Sequence, residues 1–259
     1  MPTPPPAIRF DLELTEDQAG FFAERGYLVL DRVTTDEEIE WLNGHYDAIL
    51  ATRGESYVDF SGDGTEAIEQ FLQPELVLPE LMATVTFRNA RAIADRLLPS
   101  PAAYCGGNLF HKPAGSRRET AWHQDESFHE HLDGMLGVEH QPNHSLTVWT
   151  ALQDVTDDAG ALRFVPGSHR WGLLPYEFLD DDPEREAFRA RRVVALDAST
   201  AVTCPIPAGG ATVHDGRTVH GAGANLGSGP RRGWTNSFFA EPVPRHLIAS
   251  DRARLGAAR

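Results

Sequence analysis

The sequence predicts a mainly β protein with bracing helices, built as a double-stranded β-helix (a cupin-like jelly roll). Three observations predict this. From about Tyr104 the chain breaks into short β-forming runs punctuated by Gly, Pro and Asp, the texture of a sandwich or barrel. Residues with metal-ligand chemistry, His123 with Asp125 and a distant His220, lie far apart in the chain. A jelly roll brings such distant strands to one centre. The first hundred residues carry helix signals instead. The expected organisation is one domain over 1–259, with a mostly helical brace at 1–100 and the jelly-roll core at 101–245.

Each element has its own signal. Met1 to Ile8 is proline-rich and lacks the charged-then-apolar order of a signal peptide, so it reads as a short arm. Thr15-Glu16-Asp17-Gln18 has the form of a capping box, which predicts a helix to about Glu24 with Gly26 as its stop. Tyr27 to Leu30 reads as a strand. Thr35-Asp36-Glu37-Glu38 repeats the capping signal, and Ile39, Leu42, Tyr46 and Ile49 then recur at helical spacing to about Ala51, a stripe that serves core packing. Residues 52–75, acidic and containing Ser61-Gly62-Asp63-Gly64, read as a loop placed to cover a site. Leu81 to Leu98 reads as a helix ended by Pro99. Strands are expected at 104–112, 145–152, 161–165, 192–197, 211–214, 218–220 and 232–240. Residues 174–191, with Asp180-Asp181-Asp182-Pro183, read as an insertion between strands and a lid.

Composition narrows the function. The net charge of −15 argues against nucleic acid and anionic membrane surfaces as partners, because both need positive potential. It also weighs against a highly anionic substrate such as a CoA thioester. No apolar run is long enough to span a bilayer. Two cysteines, Cys105 and Cys204, make no disulfide framework and read as small buried fillers. These features predict a cytoplasmic protein acting on a small molecule, with the oligomeric state open. Of the 23 Lys and Arg residues, only Lys112 is a lysine, which suggests a place where a guanidinium does not fit.

The chemistry concentrates in Trp122-His123-Gln124-Asp125. On an extended strand, residues i and i+2 share a face about 7 Å apart, so His123 and Asp125 can grip one metal ion. The best third ligand is His220, in Thr218-Val219-His220-Gly221-Ala222-Gly223-Ala224-Asn225. Two His and one carboxylate leave the opposite face of a metal open, the facial triad of non-haem Fe(II) oxygenases. Arg231 follows His220 by eleven residues (231 − 220), in Gly229-Pro230-Arg231-Arg232-Gly233-Trp234. With these residues the chain resembles the phytanoyl-CoA dioxygenase family of Fe(II)/2-oxoglutarate oxygenases. The likeness extends to Leu14 to Gln18, Gly26 to Leu30, Val148 to Leu152 and Gly160 to His169, and so spans nearly the whole chain.

The resemblance implies Fe(II) on His123, Asp125 and His220, and 2-oxoglutarate and O2 as co-substrates. It implies that Arg231 clamps the far carboxylate of 2-oxoglutarate, where a guanidinium offers a bidentate fork. Strand neighbours face opposite ways, so Arg232 should point outward. It also places Asn108 and Trp149 in the co-substrate pocket; Gln124, by its position between the two ligands, is expected to approach that pocket. Alternation along 108, 110 and 112 puts Lys112 on the face of Asn108, reaching toward co-substrate or substrate. Family members often have a hydroxyl residue two after the distal His; here it is Ala222. The implied reaction is hydroxylation of an unactivated C–H with release of succinate and CO2. Desaturation, epimerisation and cyclisation use the same centre. His129-Glu130-His131-Leu132-Asp133 nearly spells the HxHxDH zinc signature, but Gly134 closes it. A zinc hydrolase and a non-catalytic cupin-like binding protein are the competing readings. His214, just before His220, is the residue most easily mistaken for a ligand.

Overall fold

The computed structural model describes residues 4–52, 57–59, 68–129, 144–179 and 190–240. Helix α1 (Glu16–Arg25) begins with the reciprocal capping box, Thr15 accepting from the Gln18 N–H and Gln18 accepting from that of Thr15. It ends at Gly26, whose φ of 78° is left-handed. A Cβ there would stand 2.3 Å from His169 Nδ1 and 2.5 Å from Thr218 Oγ1, so glycine lets this turn meet two later segments. Strand β1 (Tyr27–Leu30) follows, then α2 (Asp36–Ala51), capped by Thr35.

Glu38 in the first turn of α2 does not complete a second box. It is fully buried, and its carboxylate accepts the Val85 N–H at 2.6 Å, the Thr86 N–H at 2.8 Å and the hydroxyls of Thr34 and Thr86. One helix thus caps the start of another, α3 (Val85–Leu97). A carboxylate at a helix N-terminus answers both its open N–H groups and its dipole.

Thirteen strands lie among the described residues. They include β2 (Tyr57–Asp59), β3 (Glu69–Leu72), β4 (Ala102–Lys112), β5 (Thr120–His123), β6 (Ser145–Ala151), β7 (Leu162–Phe164) and β8 (Tyr176–Phe178). The rest are β9 (Arg191–Val193), β10 (Val202–Cys204), β11 (Ala211–Asp215), β12 (His220–Ala222) and β13 (Arg231–Ala240). A seven-stranded antiparallel sheet runs β1-β11-β6-β13-β4-β3-β2, and a four-stranded one runs β10-β7-β12-β5. The outer face of the large sheet, with Leu109, Val148 and Trp234, packs on Ile39, Leu42 and Tyr46 of α2 and Ile93 of α3. Its inner face, with Phe110, Trp149 and Ala151, packs on Leu162 and Phe164 of the small sheet. Two facing sheets braced by helices on one side make the expected jelly roll, and the site lies between them.

Several boundaries differ from expectation. The acidic loop at 52–75 contains β2 and β3, which extend the large sheet beyond β4; residues 61–64 lie outside the described residues. The helix expected from Leu81 starts at Val85, because Pro79–Ala83 forms a separate 3-10 turn and Thr84 caps α3. The strand expected at 192–197 is the short β9, since Ala195 adopts a left-handed φ of 53°. The described flanks of the 174–191 insertion pair as a β8–β9 hairpin, and Asp180 to Pro183 lie outside the described residues. Strands β5, β8 and β10 were not anticipated as separate strands.

Candidate metal centre

Strands β5 and β12 pair so that His123 lies directly opposite His220. The two rings stand 4.2 Å apart, centroid to centroid. In each, Nδ1 meets a backbone carbonyl two residues earlier: Ala121 at 2.8 Å for His123 and Thr218 at 2.9 Å for His220. A carbonyl only accepts, so Nδ1 carries the proton and Nε2 the lone pair. Both Nε2 atoms face Asp125 Oδ1, at 3.6 Å and 3.4 Å. One ligand atom from each of the three residues lies within 4.8 Å of the others. Burial first, and then His220, push the His123 pKa down to about 4, so its imidazole is neutral as a ligand must be. Burial pushes the Asp125 carboxyl up, but His220 and His214 together hold it well below the usual range. Two fixed lone pairs and a carboxylate fit a divalent metal.

The backbone reaches this arrangement by a route the sequence did not show. Strand β5 ends at His123, and Asp125 opens a 3-10 turn (Asp125–His129). Behind that turn, Glu126 accepts from Arg217 Nε at 2.5 Å and from Ser145 Oγ at 2.8 Å, all three buried. The pair pins the turn that carries Asp125. Two residues that sequence reasoning did not assign touch Asp125 directly. Thr147 Oγ1 donates to Oδ2 at 2.8 Å, and His214 Nε2 lies 3.1 Å from the same oxygen.

Arg231 and Lys112 face each other across β13 and β4. Arg231 is buried, and its guanidinium lies 4.3 Å over the Trp149 ring. Its Nε is buried with no hydrogen-bond partner. Burial lowers its pKa to about 10, so it stays a cation at neutral pH. A Cβ on Gly233 would meet Trp149 Cζ2 at 2.0 Å; glycine there makes the room for the indole. Arg232 turns outward to Asp47 at 2.5 Å, over the Tyr46 ring. A buried cation with an unanswered N–H fits a carboxylate ligand.

The remaining predicted residues are placed as follows. Asn108 lies on the inner side of β4 with Phe110 and Lys112, opposite Thr235 of β13. Gln124 is buried, and its amide donates to the carbonyls of Gly172 and Arg217 and accepts from the Leu174 N–H. These bonds hold its side chain against Gly172, Leu174 and Arg217, and it braces the segment from His123 to Asp125. Lys112 points inward and is fully buried, but Nζ donates to its own chain, to Gly223 O at 2.8 Å and Arg118 O at 3.2 Å. Burial, reinforced by Arg231, pushes its pKa down to about 6. A neutral amine has two N–H groups, and two carbonyls take them. Asn225, buried, reaches the carbonyls of Lys112, Pro113 and Gly229 and ties the turn before β13 to the end of β4. Ala222 is buried between Leu162 and Thr120.

The family model for phytanoyl-CoA dioxygenase (PhyH) matches residues 22–233. The chain belongs to the phytanoyl-CoA dioxygenase family. An ectoine dioxygenase from Bordetella bronchiseptica is 24% identical over 238 residues, covering 86% of this chain and 74% of that protein. The crystal structure of EvdO2 from Micromonospora carbonacea var. aurantiaca complexed with 2-oxoglutarate has a TM-score of 0.72 at 28% identity, covering 92% of this chain and 98% of that one. The epimerase SnoN, in complex with Fe3+, alpha ketoglutarate and nogalamycin RO, has a TM-score of 0.66 at 25% identity, covering 90% and 88%. This phytanoyl-CoA dioxygenase family member is an Fe(II)- and 2-oxoglutarate-dependent oxygenase. That membership overturns the zinc-hydrolase and non-catalytic readings. The near-signature from Glu130 to Gly134 lies outside the described residues.

Proposed function

We propose that His123, Asp125 and His220 hold Fe(II), that Arg231 anchors 2-oxoglutarate, and that the enzyme hydroxylates an unactivated C–H of a small metabolite. The single observation that supports this most is the pairing of two sites on the inner faces of the barrel. One is a cluster of two imidazoles and a carboxylate; the other is a buried guanidinium with a bare Nε. Iron with 2-oxoglutarate and O2 supplies the oxidising power, with succinate and CO2 as co-products. The chain's own contribution is geometric. The Nδ1 hydrogen bonds fix both imidazoles, Asp125 supplies the anionic ligand, and the Trp149 ring backs the guanidinium. The walls around Trp149 and Phe164 are buried and apolar, which excludes water and strengthens each charge contact.

The substrate is small, because a protein of net charge −15 does not attract a polyanionic CoA ester. We read it as a cytoplasmic, single-domain enzyme; among the described residues no helix is long and apolar enough to cross a membrane. The likeness to an epimerase keeps epimerisation as the second reading, with desaturation and cyclisation on the same centre. The test is succinate formation from 2-oxoglutarate under O2 with Fe(II) added, in buffers with and without chloride. Asp125 gives the metal a carboxylate as its third protein ligand, so no halide is needed in that place and turnover should be independent of halide. A chlorinated product, or no succinate at all, would contradict the proposal.

A further inference from the structure

Three polar residues form a row across adjacent strands beneath Asp125. His214 of β11 pairs directly with Thr147 of β6, and Thr147 pairs with Ser237 of β13. Thr147 Oγ1 lies 2.8 Å from Asp125 Oδ2 and 3.1 Å from Ser237 Oγ. A hydroxyl has one hydrogen; Thr147 gives it to the carboxylate and accepts from Ser237. His214 Nε2 stands 3.1 Å from the same Oδ2. A carboxylate only accepts, so Nε2 carries the proton, and the buried Nδ1 has no hydrogen-bond partner. The ring is buried and lies against two others, His220 at 4.1 Å and Phe164 at 5.5 Å.

From this geometry we infer that His214 and Thr147 are positioning residues that hold Asp125 as a one-oxygen ligand. Their two hydrogen bonds occupy Oδ2. Oδ1 is left facing Nε2 of both His123 and His220. A carboxylate that gripped a metal through both oxygens would fill one more coordination position. Tying Oδ2 back keeps that position for co-substrate and O2. The inference rests on the reading of His123, Asp125 and His220 as the iron site.

The test is the Fe(II) affinity of the protein, measured without O2 by competition with a chromophoric chelator. It is paired with the visible charge-transfer absorption of the Fe(II)–2-oxoglutarate complex. His214→Leu removes the donor, and His214→Gln returns an amide N–H near the Nε2 position. Thr147→Val removes the second donor at nearly constant shape. Losing a group that orients a ligand typically costs about 10–100-fold in metal affinity. The Leu and Val variants should each show that loss and a shifted absorption band, while His214→Gln stays within a few-fold of wild type. The unfolding midpoint of each metal-free variant identifies any that does not fold; if His214→Leu fails, Thr147→Val decides. Wild-type affinity and an unshifted band in the folded variants would overturn the positioning role. A wild-type protein that binds no Fe(II) would overturn the iron-site reading itself, and the positioning role with it.

Discussion

Arg231 and Arg232 are neighbours with opposite surroundings, one stacked on Trp149 inside the barrel and the other paired with Asp47 on α2. A charge-assisted contact to a carboxylate is worth about 1.5–3 kcal/mol, so Arg231→Ala should raise the 2-oxoglutarate requirement about tenfold to a hundredfold. Arg232→Ala should leave it near wild type. A series of KM values for 2-oxoglutarate checks both, and the reverse pattern would show that the strand register is off by one. Lys112 yields a pH prediction. Its folded pKa is about 6 against an ordinary 10.5. Between those values the unfolded chain keeps a proton that the folded chain lacks, so this group adds stability as pH rises. Lys112→Met, which fills similar space, should therefore make stability climb less steeply from pH 6 to 10.5. Urea unfolding of the co-substrate-free protein across that range measures the slope; an unchanged slope would return Lys112 to an ordinary ammonium.

At the scale of elements, β13 and the start of α3 carry most of the organisation. Gly233 admits the Trp149 indole, and a methyl group there would stand 2.0 Å from its ring. Overpacking of this kind costs about 1–3 kcal/mol. Gly233→Ala should lower stability by that amount and weaken 2-oxoglutarate binding, because the platform under Arg231 moves. Calorimetric titration with 2-oxoglutarate would show wild-type affinity if the platform were unimportant. Glu38 joins α2 to α3 by accepting two helix N–H groups. Glu38→Ala leaves them buried without an acceptor, a loss on the order of 3 kcal/mol, read as a lower urea midpoint. Iron binding in the folded fraction should be unaffected, since α3 packs on the outer face.

For the whole molecule, what the sequence disclosed follows from where each signal resides. Helices α1 and α2 were legible because Thr15, Gln18 and Thr35 act on backbone groups three residues away. The inward turn of Arg231 followed from two signals together: alternation turns only one of Arg231 and Arg232 inward, and the eleven-residue spacing from His220 selects Arg231. Strands β3, β5 and β10 were not among the expected strands; pairing with β4, β12 and β7 holds them, and no local spacing records that pairing. The placing of Thr147 and His214 beside Asp125 was not legible, for a related reason. They reach Asp125 through cross-strand register, which no spacing within one segment records. The contacts of Gln124 with Gly172, Arg217 and Leu174 were not legible either, because those partners lie 48, 93 and 50 residues further along the chain. His123, Asp125 and His220 were legible as types and spacing; their Nδ1 anchors at Ala121 and Thr218 needed the fold.

All of these scales meet in one place, where β5 and β12 set His123 against His220 and the turn after β5 adds Asp125. The most direct measurement is an anaerobic Fe(II) titration in the presence of 2-oxoglutarate, comparing wild type with His220→Ala and following bound iron per chain. Wild type should bind one Fe(II) and develop the charge-transfer absorption of a chelated 2-oxo acid, and His220→Ala should do neither while keeping its fold. Undiminished iron binding and the same absorption in His220→Ala would contradict the assignment of the site.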